Sequence, residues 1–282
     1  MHTSADDNGG ILLDRDGAIA TITLNRPRQR NAMNRQMLEA LRERLDALDR
    51  DPGVRAIIIT GAGGIFSAGF DLKEQAELRP HGEARWREIL ERAFSTVMRC
   101  WRLGKPTIAA VQGPCLAGAC ELALACDITI AGDDAVFGEP ELRFGAGIVV
   151  MLLPWLVGAK RAKDIILTGR HGIDAAEALA IGLVSRVVPT DQALSAAKTV
   201  AGQIAAIDPG LVTATKRSIN RTYEIMGIER ALRDALRDDV AIEAAGTPDK
   251  AQFLDIVRSA GLAAALRWRD ARFDPPHNIA EP

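Results

Sequence analysis

The stretch Thr107-Ile-Ala-Ala-Val-Gln-Gly-Pro-Cys-Leu-Ala-Gly-Ala-Cys-Glu-Leu-Ala-Leu-Ala-Cys126 decides the fold. Its first five residues, Thr107 to Val111, have the apolar pattern of a strand, and the glycine turn Leu116-Ala-Gly-Ala119 opens an apolar helix. A buried-type strand at Arg55–Thr60 and a helix at Trp86–Trp101 come before it. This alternation of strands and helices favours an α/β core with some parallel pairing.

The flanking sequence extends this pattern in both directions. Ile11–Leu13 and Ala18–Leu24 are predicted strands, joined by a hairpin turn at Asp14-Arg-Asp-Gly17, and Asn34 is predicted to cap a helix that runs to about Asp49. From about residue 148 onward the chain is mostly helical, with one late strand at Ser185–Val188. Helical spacing recurs in the segments 174–182, 191–206, 209–226, 228–245 and 248–272.

Four regions follow from this order. Residues 1–10 lack the apolar core of a signal peptide and are predicted to be a disordered leader. Residues 11–190 are predicted to form the α/β core, residues 191–275 a helical region, and residues 276–282 a tail. The helical region shows more apolar surface than one short core needs, which is typical of an interface.

Composition excludes several classes of protein. The chain has 282 residues, of which 48% are hydrophobic and 26% charged, as is ordinary for a soluble globular protein. Its net charge of -2 gives no reason to expect nucleic acid or an acidic membrane surface as a partner. No apolar run approaches the roughly 20 residues of a membrane span. We therefore expect a cytoplasmic protein.

Cysteine and histidine patterns restrict the chemistry. The cysteines form no CxxC pair and are predicted to be buried free thiols: Cys100, Cys115, Cys120 and Cys126. The histidines fall in tails or polar, loop-like stretches: His2, His81, His171 and His277. This leaves little for a histidine-based metal site or a Ser-His-Asp triad. Any chemistry is expected to use carboxylates and backbone groups.

Two glutamates are candidates for that chemistry. Glu121 lies among apolar and small residues, and a buried carboxylate must be paired, hydrogen-bonded or held protonated. Glu141 follows a second short apolar run, in Phe137-Gly-Glu-Pro-Glu-Leu142. Two carboxylates from separate segments can supply a general acid and a general base. The alternative is that Glu121 belongs to a structural ion pair and that Glu141 is a solvated turn residue.

Two glycine turns, Ala68-Gly-Phe-Asp71 and Leu116-Ala-Gly-Ala119, each follow a strand. Small residues there let a ligand approach the backbone, and two N–H groups that converge on one oxygen form an oxyanion hole. The alternative is that both are only tight turns. Gly61-Ala-Gly-Gly64 lacks the third glycine of a dinucleotide-binding loop, and no Gly-Lys-Ser/Thr follows it.

Motifs along the whole chain resemble the enoyl-CoA hydratase/isomerase family, the crotonases, over about residues 11–273. The motifs occur in this order: Leu24-Asn-Arg-Pro27, Ala32-Met33, Phe66-Ser-Ala-Gly-Phe-Asp-Leu72, Gly104-Lys-Pro106, Val111-Gln-Gly113, Ala117-Gly-Ala-Cys-Glu-Leu122, Cys126-Asp-Ile128, Phe137-Gly-Glu-Pro-Glu141, Ile173-Asp-Ala-Ala-Glu-Ala178, Gly182-Leu-Val184 and Val188-Pro189. The resemblance implies a crotonase-like spiral of ββα units with a C-terminal helical region that mediates trimer formation. It also implies an acyl-CoA thioester substrate, no metal, no separate cofactor, and a homotrimer or a dimer of trimers.

The resemblance also implies roles for single residues. The thioester oxygen would lie between the N–H groups of Phe70 and Gly118. Glu121 would activate a water for attack at C3, and Glu141 would exchange a proton with water and C2.

Coenzyme A would be held by the turn that contains Ala68 and Asp71 and by the cations Arg28 and Lys73. The alternative for both cations is a plain surface role. Trp268 and Phe273 are expected near a coenzyme A site, of this subunit or of a neighbour.

The segment after Glu141 departs from the family pattern. Hydratases of the family usually continue with a turn rich in proline and glycine, whereas this chain has a shorter, apolar segment at Leu142–Pro154. That segment borders the acyl pocket in the family, so the acyl group stays open. Arg143 either lowers a carboxylate pKa, binds a polar acyl group, or faces outward. The predicted function is hydration of a 2-enoyl-CoA or the reverse dehydration, with a double-bond isomerase or a non-catalytic acyl-CoA-binding protein as alternatives.

Overall fold

The computed structural model describes residues 9–273. The strands are β1 (Ile11–Asp16), β2 (Ile19–Leu24), β3 (Ala56–Gly61), β4 (Thr107–Val111), β5 (Pro114–Leu116), β6 (Ile128–Gly132), β7 (Val136–Gly138), β8 (Ile173–Asp174) and β9 (Arg186–Val188). The helices are α1 (Arg35–Arg50), α2 (Leu72–Leu78), α3 (Glu83–Arg102), α4 (Gly118–Ala125), α5 (Leu153–Val157), α6 (Ala159–Thr168), α7 (Ala175–Ala180), α8 (Ala193–Ala205), α9 (Pro209–Ile225), α10 (Ile228–Ala245), α11 (Pro248–Ala260) and α12 (Leu262–Asp270).

The main sheet has six strands in the order β1-β2-β3-β4-β6-β9. β1 and β2 are antiparallel and every later pair is parallel, which confirms the predicted α/β core. The predicted hairpin turn was wrong in its bounds, because β1 continues until Asp16 pairs with Ile19. The turn is only Gly17-Ala18, and Gly17 adopts the positive φ (57°) that a two-residue hairpin requires.

A second sheet of three short strands, in the order β5-β7-β8, accompanies the main sheet. After β4 and again after β6 the chain adds one strand to the second sheet, and after β5 it continues into the helix α4. Such steps, repeated, are the ββα spiral that the resemblance predicted. The prediction named none of β5, β6, β7 and β8, and three of these have only two or three residues, too few to show an alternating pattern.

Alternate residues of the main sheet pack into two different hydrophobic cores, one on each face. Ile57 and Ile59 of β3 face the larger core with α1, α3, α4 and α10, whereas Ile58 faces a smaller core with α8. Burial on both faces explains why the central strands are apolar throughout. All four cysteines are buried and free, as predicted.

The C-terminal region is helical from α8 to α12, as predicted. The segment 248–272 is helical as predicted and consists of two helices, since Gly261 at φ 85° separates α11 from α12. These two helices pack on α2 and on the turn Glu141–Phe144 through an apolar cluster: Ala76, Phe144, Phe253, Val257 and Ala265.

The predicted leader and tail fall mostly outside the described residues. Gly9 and Gly10 of the leader are described, and Gly10 O accepts a hydrogen bond from Asn25 N (2.7 Å). Residues 1–8 and 274–282, which include the predicted tail at 276–282, lie outside. Among the helices described for residues 9–273, none has the length and apolar character needed to cross a membrane.

Candidate active site

The two glycine turns meet at the junction of the second sheet and α4. Ser67 bridges to Cys115 and Phe70 to Met33 as isolated pairs, which bring the first turn beside the second. A side chain at Gly69 would lie 2.8 Å from the carbonyl oxygen of Leu116. Glycine at this position is therefore required by the close approach of the two turns.

Two backbone N–H groups remain available at this junction. Gly118 begins α4, where N–H groups have no partner within the helix. On either side of Phe70, Met33 N donates a hydrogen bond to Gly69 O (2.8 Å) and Asp71 N donates one to Met33 O (3.1 Å). No hydrogen bond within residues 9–273 uses the N–H of Phe70 or of Gly118. The junction therefore has two backbone donors that no described residue uses.

A cavity of about 970 Å³ opens beside these turns. Its wall includes all four residues predicted to hold coenzyme A: Arg28, Ala68, Asp71 and Lys73. Arg28 and Lys73 are exposed, whereas Ala68 N–H already donates to Arg30 O (3.0 Å). The Asp71 carboxylate accepts from Lys73 N (3.1 Å) at the start of α2 and pairs with Arg26 (2.9 Å). Asp71 thus has structural partners of its own, whereas the carbonyl of Ala68 has no backbone partner among the described residues.

Glu121 lies on α4 and is fully buried. Its Oε1 accepts a hydrogen bond from Val150 N (2.9 Å), and its Oε2 has no partner among the described residues. The pKa of Glu121 is raised to about 8, because burial and, to a smaller extent, the nearby Asp239 outweigh the opposing hydrogen bond from the Val150 N–H. No cation in the described chain pairs with this carboxylate, so it is not a member of a structural ion pair.

Glu141 begins the turn Glu141–Phe144 and lines the cavity, with only 7% of its surface exposed. Burial raises its pKa well above the ordinary value, and the Glu121 carboxylate raises it further. It is therefore not a solvated turn residue.

A third glutamate, Glu139, joins the other two. One carboxylate oxygen from each of Glu121, Glu139 and Glu141 lies within 4.8 Å of the others. Burial and the Glu141 charge raise the pKa of Glu139 well above its ordinary value. The spacing would also suit a cation, but three raised pKa values favour shared protons over three charges. The only signal in the sequence was a second glutamate two positions before Glu141.

The segment that departs from the family pattern holds Glu121 in place through the N–H of Val150. Arg143 faces away from the carboxylates, since its guanidinium lies 4.6 Å from the Phe273 ring and donates to Thr168 O (3.4 Å). The outward alternative for Arg143 is therefore the one observed.

The helix α12 lies against the cavity of its own chain. Leu262 and Leu266 line the cavity, while Trp268 packs on Phe253 with ring centroids 6.5 Å apart. Trp268 therefore supports this wall from behind.

Sequence reasoning missed the ionisable residues that α10 and α11 bury in the cavity wall: Asp239 and Glu243 of α10 and Lys250 of α11. All three are buried, and Lys250 forms an ion pair with Glu243. The charged segment 228–245 has the composition of a solvated helix. The signal was that Asp239 and Glu243 continue the spacing of the buried residues Leu232 and Leu236.

Comparisons with known proteins agree with this geometry. The family model described as enoyl-CoA hydratase/isomerase matches residues 14–238. A probable enoyl-CoA hydratase of Mycobacterium bovis is 41% identical over 223 residues, which are 76% of this chain and 82% of that protein. The short-chain-enoyl-CoA hydratase of Clostridium acetobutylicum is 38% identical over 217 residues, covering 75% of this chain and 81% of that protein.

The crystal structure of an enoyl-CoA hydratase/isomerase from Xanthobacter autotrophicus Py2 superposes with a TM-score of 0.93 at 56% identity. It covers 94% of this chain and 98% of that one. The resemblance predicted from the motifs and the crotonase-like fold are both confirmed: the chain belongs to the enoyl-CoA hydratase/isomerase family.

Proposed function

We propose that this member of the family adds water to a 2-enoyl-CoA thioester, or removes it in the reverse direction. One observation carries the proposal: two buried carboxylates from separate elements, Glu121 and Glu141, reach the same small volume. Members that only move a double bond need a single carboxylate to carry a proton. The names of the curated relatives support the same reaction.

The two free N–H groups of Phe70 and Gly118 would bind the thioester oxygen. When water adds to C3, the electron pair of the C2–C3 double bond moves toward C1, and negative charge develops on that oxygen. Donors already in place stabilise this enolate more than the neutral thioester, which lowers the barrier.

The glutamates would handle the protons. Glu121 would take a proton from water as its oxygen bonds to C3, and Glu141 would deliver one to C2. The N–H of Val150 fixes one oxygen of Glu121, which leaves the other to face the water. Glu139 would keep a proton beside Glu141.

Coenzyme A would enter as part of the substrate, with no separate cofactor and no metal. The exposed cations Arg28 and Lys73 at the cavity rim would pair with its phosphates, and the free carbonyl of Ala68 would accept a hydrogen bond. Asp71 would act indirectly, because its carboxylate holds the turn to Arg26 and α2.

Crotonyl-CoA tests this function. Hydration removes the conjugated double bond, so the absorbance of the enoyl thioester should fall on addition of the protein. A rise in absorbance with a 3-enoyl-CoA and no fall with crotonyl-CoA would establish the isomerase instead. Tight coenzyme A binding without either change, over a panel of thioesters, would establish the non-catalytic alternative.

The pH dependence of kcat/KM provides a second measurement. Because the pKa of Glu121 is raised to about 8, this group is mostly protonated below that pH and cannot act as a base. We expect kcat/KM for hydration to rise with pH and to level off above about pH 8. A profile that is flat from about pH 6 to about pH 9 would contradict ionised Glu121 as the base.

We also propose that the protein forms a trimer or a dimer of trimers through its helical region. Large apolar side chains are exposed on and beside α9: Ile207, Leu211, Ile219, Ile225 and Met226. Ile207, Leu211 and Ile219 border a second cavity of about 560 Å³, and the other two extend the same surface. An apolar surface of this extent is typical of an interface.

Sedimentation at micromolar concentration should give three or six times the chain mass of 30.3 kDa. Ile225→Asp should dissociate the assembly, whereas Arg42→Asp on the exposed face of α1 should leave it intact. A stable wild-type monomer would rule the proposal out.

A further inference from the structure

The proposed hydration does not use the ionisable side chains that α10 and α11 bury in the cavity wall. Asp239, Glu243 and Lys250 are 3%, 6% and 4% exposed and share this wall with apolar side chains. Burying an ionisable group costs desolvation free energy, so each of these groups is expected to have a partner or a role that offsets the cost.

Two of the three satisfy each other. Lys250 forms an ion pair with Glu243, and its Nζ also lies 4.6 Å from the centre of the Trp86 ring. Glu243 and Lys250 together are therefore close to neutral and have their own partners.

Asp239 differs from that pair. Neither of its carboxylate oxygens has a hydrogen-bond partner among the described residues. Glycine at position 147 makes room for the Asp239 carboxyl group, because a Cβ there would lie only 2.0 Å from Asp239 Oδ1. The shortened segment after Glu141 thus passes close to a buried carboxyl group that has two unused acceptor oxygens.

The residues around Asp239 limit which group of a ligand can bind to it. Apolar side chains, among them Leu90, Ala93 and Val149, line the same cavity. Glu141, Glu243 and Lys250 lie in the same wall, and Glu243 and Lys250 place both signs of charge beside Asp239, so a neutral group on the ligand fits better than a carboxylate or an ammonium. A hydrocarbon chain that ends in a hydrogen-bond donor matches both properties of the wall.

We propose that the acyl pocket selects an acyl chain that carries a hydroxyl group, and that Asp239 accepts the hydrogen bond from this hydroxyl. The inference rests on the proposed function for the coenzyme A thioester. Asp239 acts in specificity and takes no part in the bond changes at C2 and C3. Because a site built to bind a hydroxyl leaves its own group unpaired when the hydroxyl is missing, discrimination against plain alkyl chains follows.

Calorimetry with saturated acyl-CoA thioesters tests this pocket without relying on catalysis. The probes are matched pairs of four to about eight acyl carbons, unsubstituted or with a terminal hydroxyl, amino or carboxyl group. At the chain length that reaches Asp239 we expect the hydroxyl form to bind about ten-fold more tightly than the alkyl form. Equal or tighter binding of the alkyl form at every length would overturn the proposal, and so would a preference for the amino or the carboxyl form.

Substitutions identify the residue responsible. Asp239→Leu should abolish the hydroxyl preference, while Asp239→Asn, which keeps an acceptor oxygen and the shape, should retain most of it. Asp238→Asn, on the exposed neighbour in α10, is the matched control and should bind as the wild type does. A hydroxyl preference that survives Asp239→Leu would overturn the assignment.

If Asp239→Leu does not fold, Gly147→Ala gives an independent reading. Its methyl group must displace the Asp239 carboxyl, so the hydroxyl preference should fall; an unchanged preference would overturn the assignment. Failure of the proposed function would look different. In that case crotonyl-CoA would not be hydrated, while the binding preference and its loss in Asp239→Leu would persist.

Discussion

Glu121→Gln and Glu141→Gln should each lower kcat for hydration by roughly 10²–10⁴-fold, with thioester affinity largely kept. Glutamine preserves the size of each side chain and can still accept the hydrogen bond that Val150 N donates to residue 121. It cannot exchange a proton with water or with C2. The loss should therefore appear in kcat rather than in binding.

Three companion variants sharpen this measurement. Glu91→Gln, on the exposed surface of α3, is the matched control and should hydrate crotonyl-CoA as the wild type does. Glu139→Gln should cost less than either active-site variant, because the proposed mechanism gives Glu139 no proton exchange with water or with C2. Near-wild-type hydration by the Glu121 or Glu141 variant would remove that residue from the mechanism.

Gly118→Pro should abolish turnover, because proline deletes the N–H that would bind the thioester oxygen. Proline is tolerated at the first position of a helix, and Gly118 begins α4, so the helix should survive, but the Cβ of proline meets the Phe70 ring as any Cβ there would. Gly118→Val should be equally inactive for a steric reason. A Cβ at this position would lie 2.4 Å from the Phe70 ring.

Variants of Phe70 distinguish the loss of the Gly118 N–H from the collision between a side chain at position 118 and the Phe70 ring. Phe70→Ala keeps its own N–H, so we expect much of the activity to remain, with an altered acyl preference. Gly118→Ala keeps the N–H but adds the colliding Cβ. Combined with it, Phe70→Ala removes the ring and should restore turnover. Added to Gly118→Pro, it should restore nothing. Turnover by a folded Gly118→Pro variant would show that this donor is not essential, and an inactive Phe70→Ala variant that still binds coenzyme A would make the ring the functional group.

Local sequence by itself determined most of the elements and the family. The strand β3 is apolar at every position from Ala56 to Ile59, and the structure buries it on both faces. Asn34 caps α1 as predicted, since its side chain accepts from Met37 N (3.0 Å). Such features depend on neighbours within a few residues, so periodicity and capping rules reveal them. The ordered motifs were enough to identify the family.

Only the tertiary structure decided what surrounds the two glutamates. The N–H of Val150 reaches Glu121 across 29 residues of sequence, and Asp239 comes from a helix much later in the chain. In the sequence, Asp239 stands in a charged stretch that is also compatible with a solvated helix face. Whether a carboxyl group is solvated or buried depends on which segments pack over it, and that packing sets both its pKa and its partners. The spacing of Asp239 with Leu232 and Leu236 indicates only that they share a face of α10, and no local pattern shows which segments pack on that face.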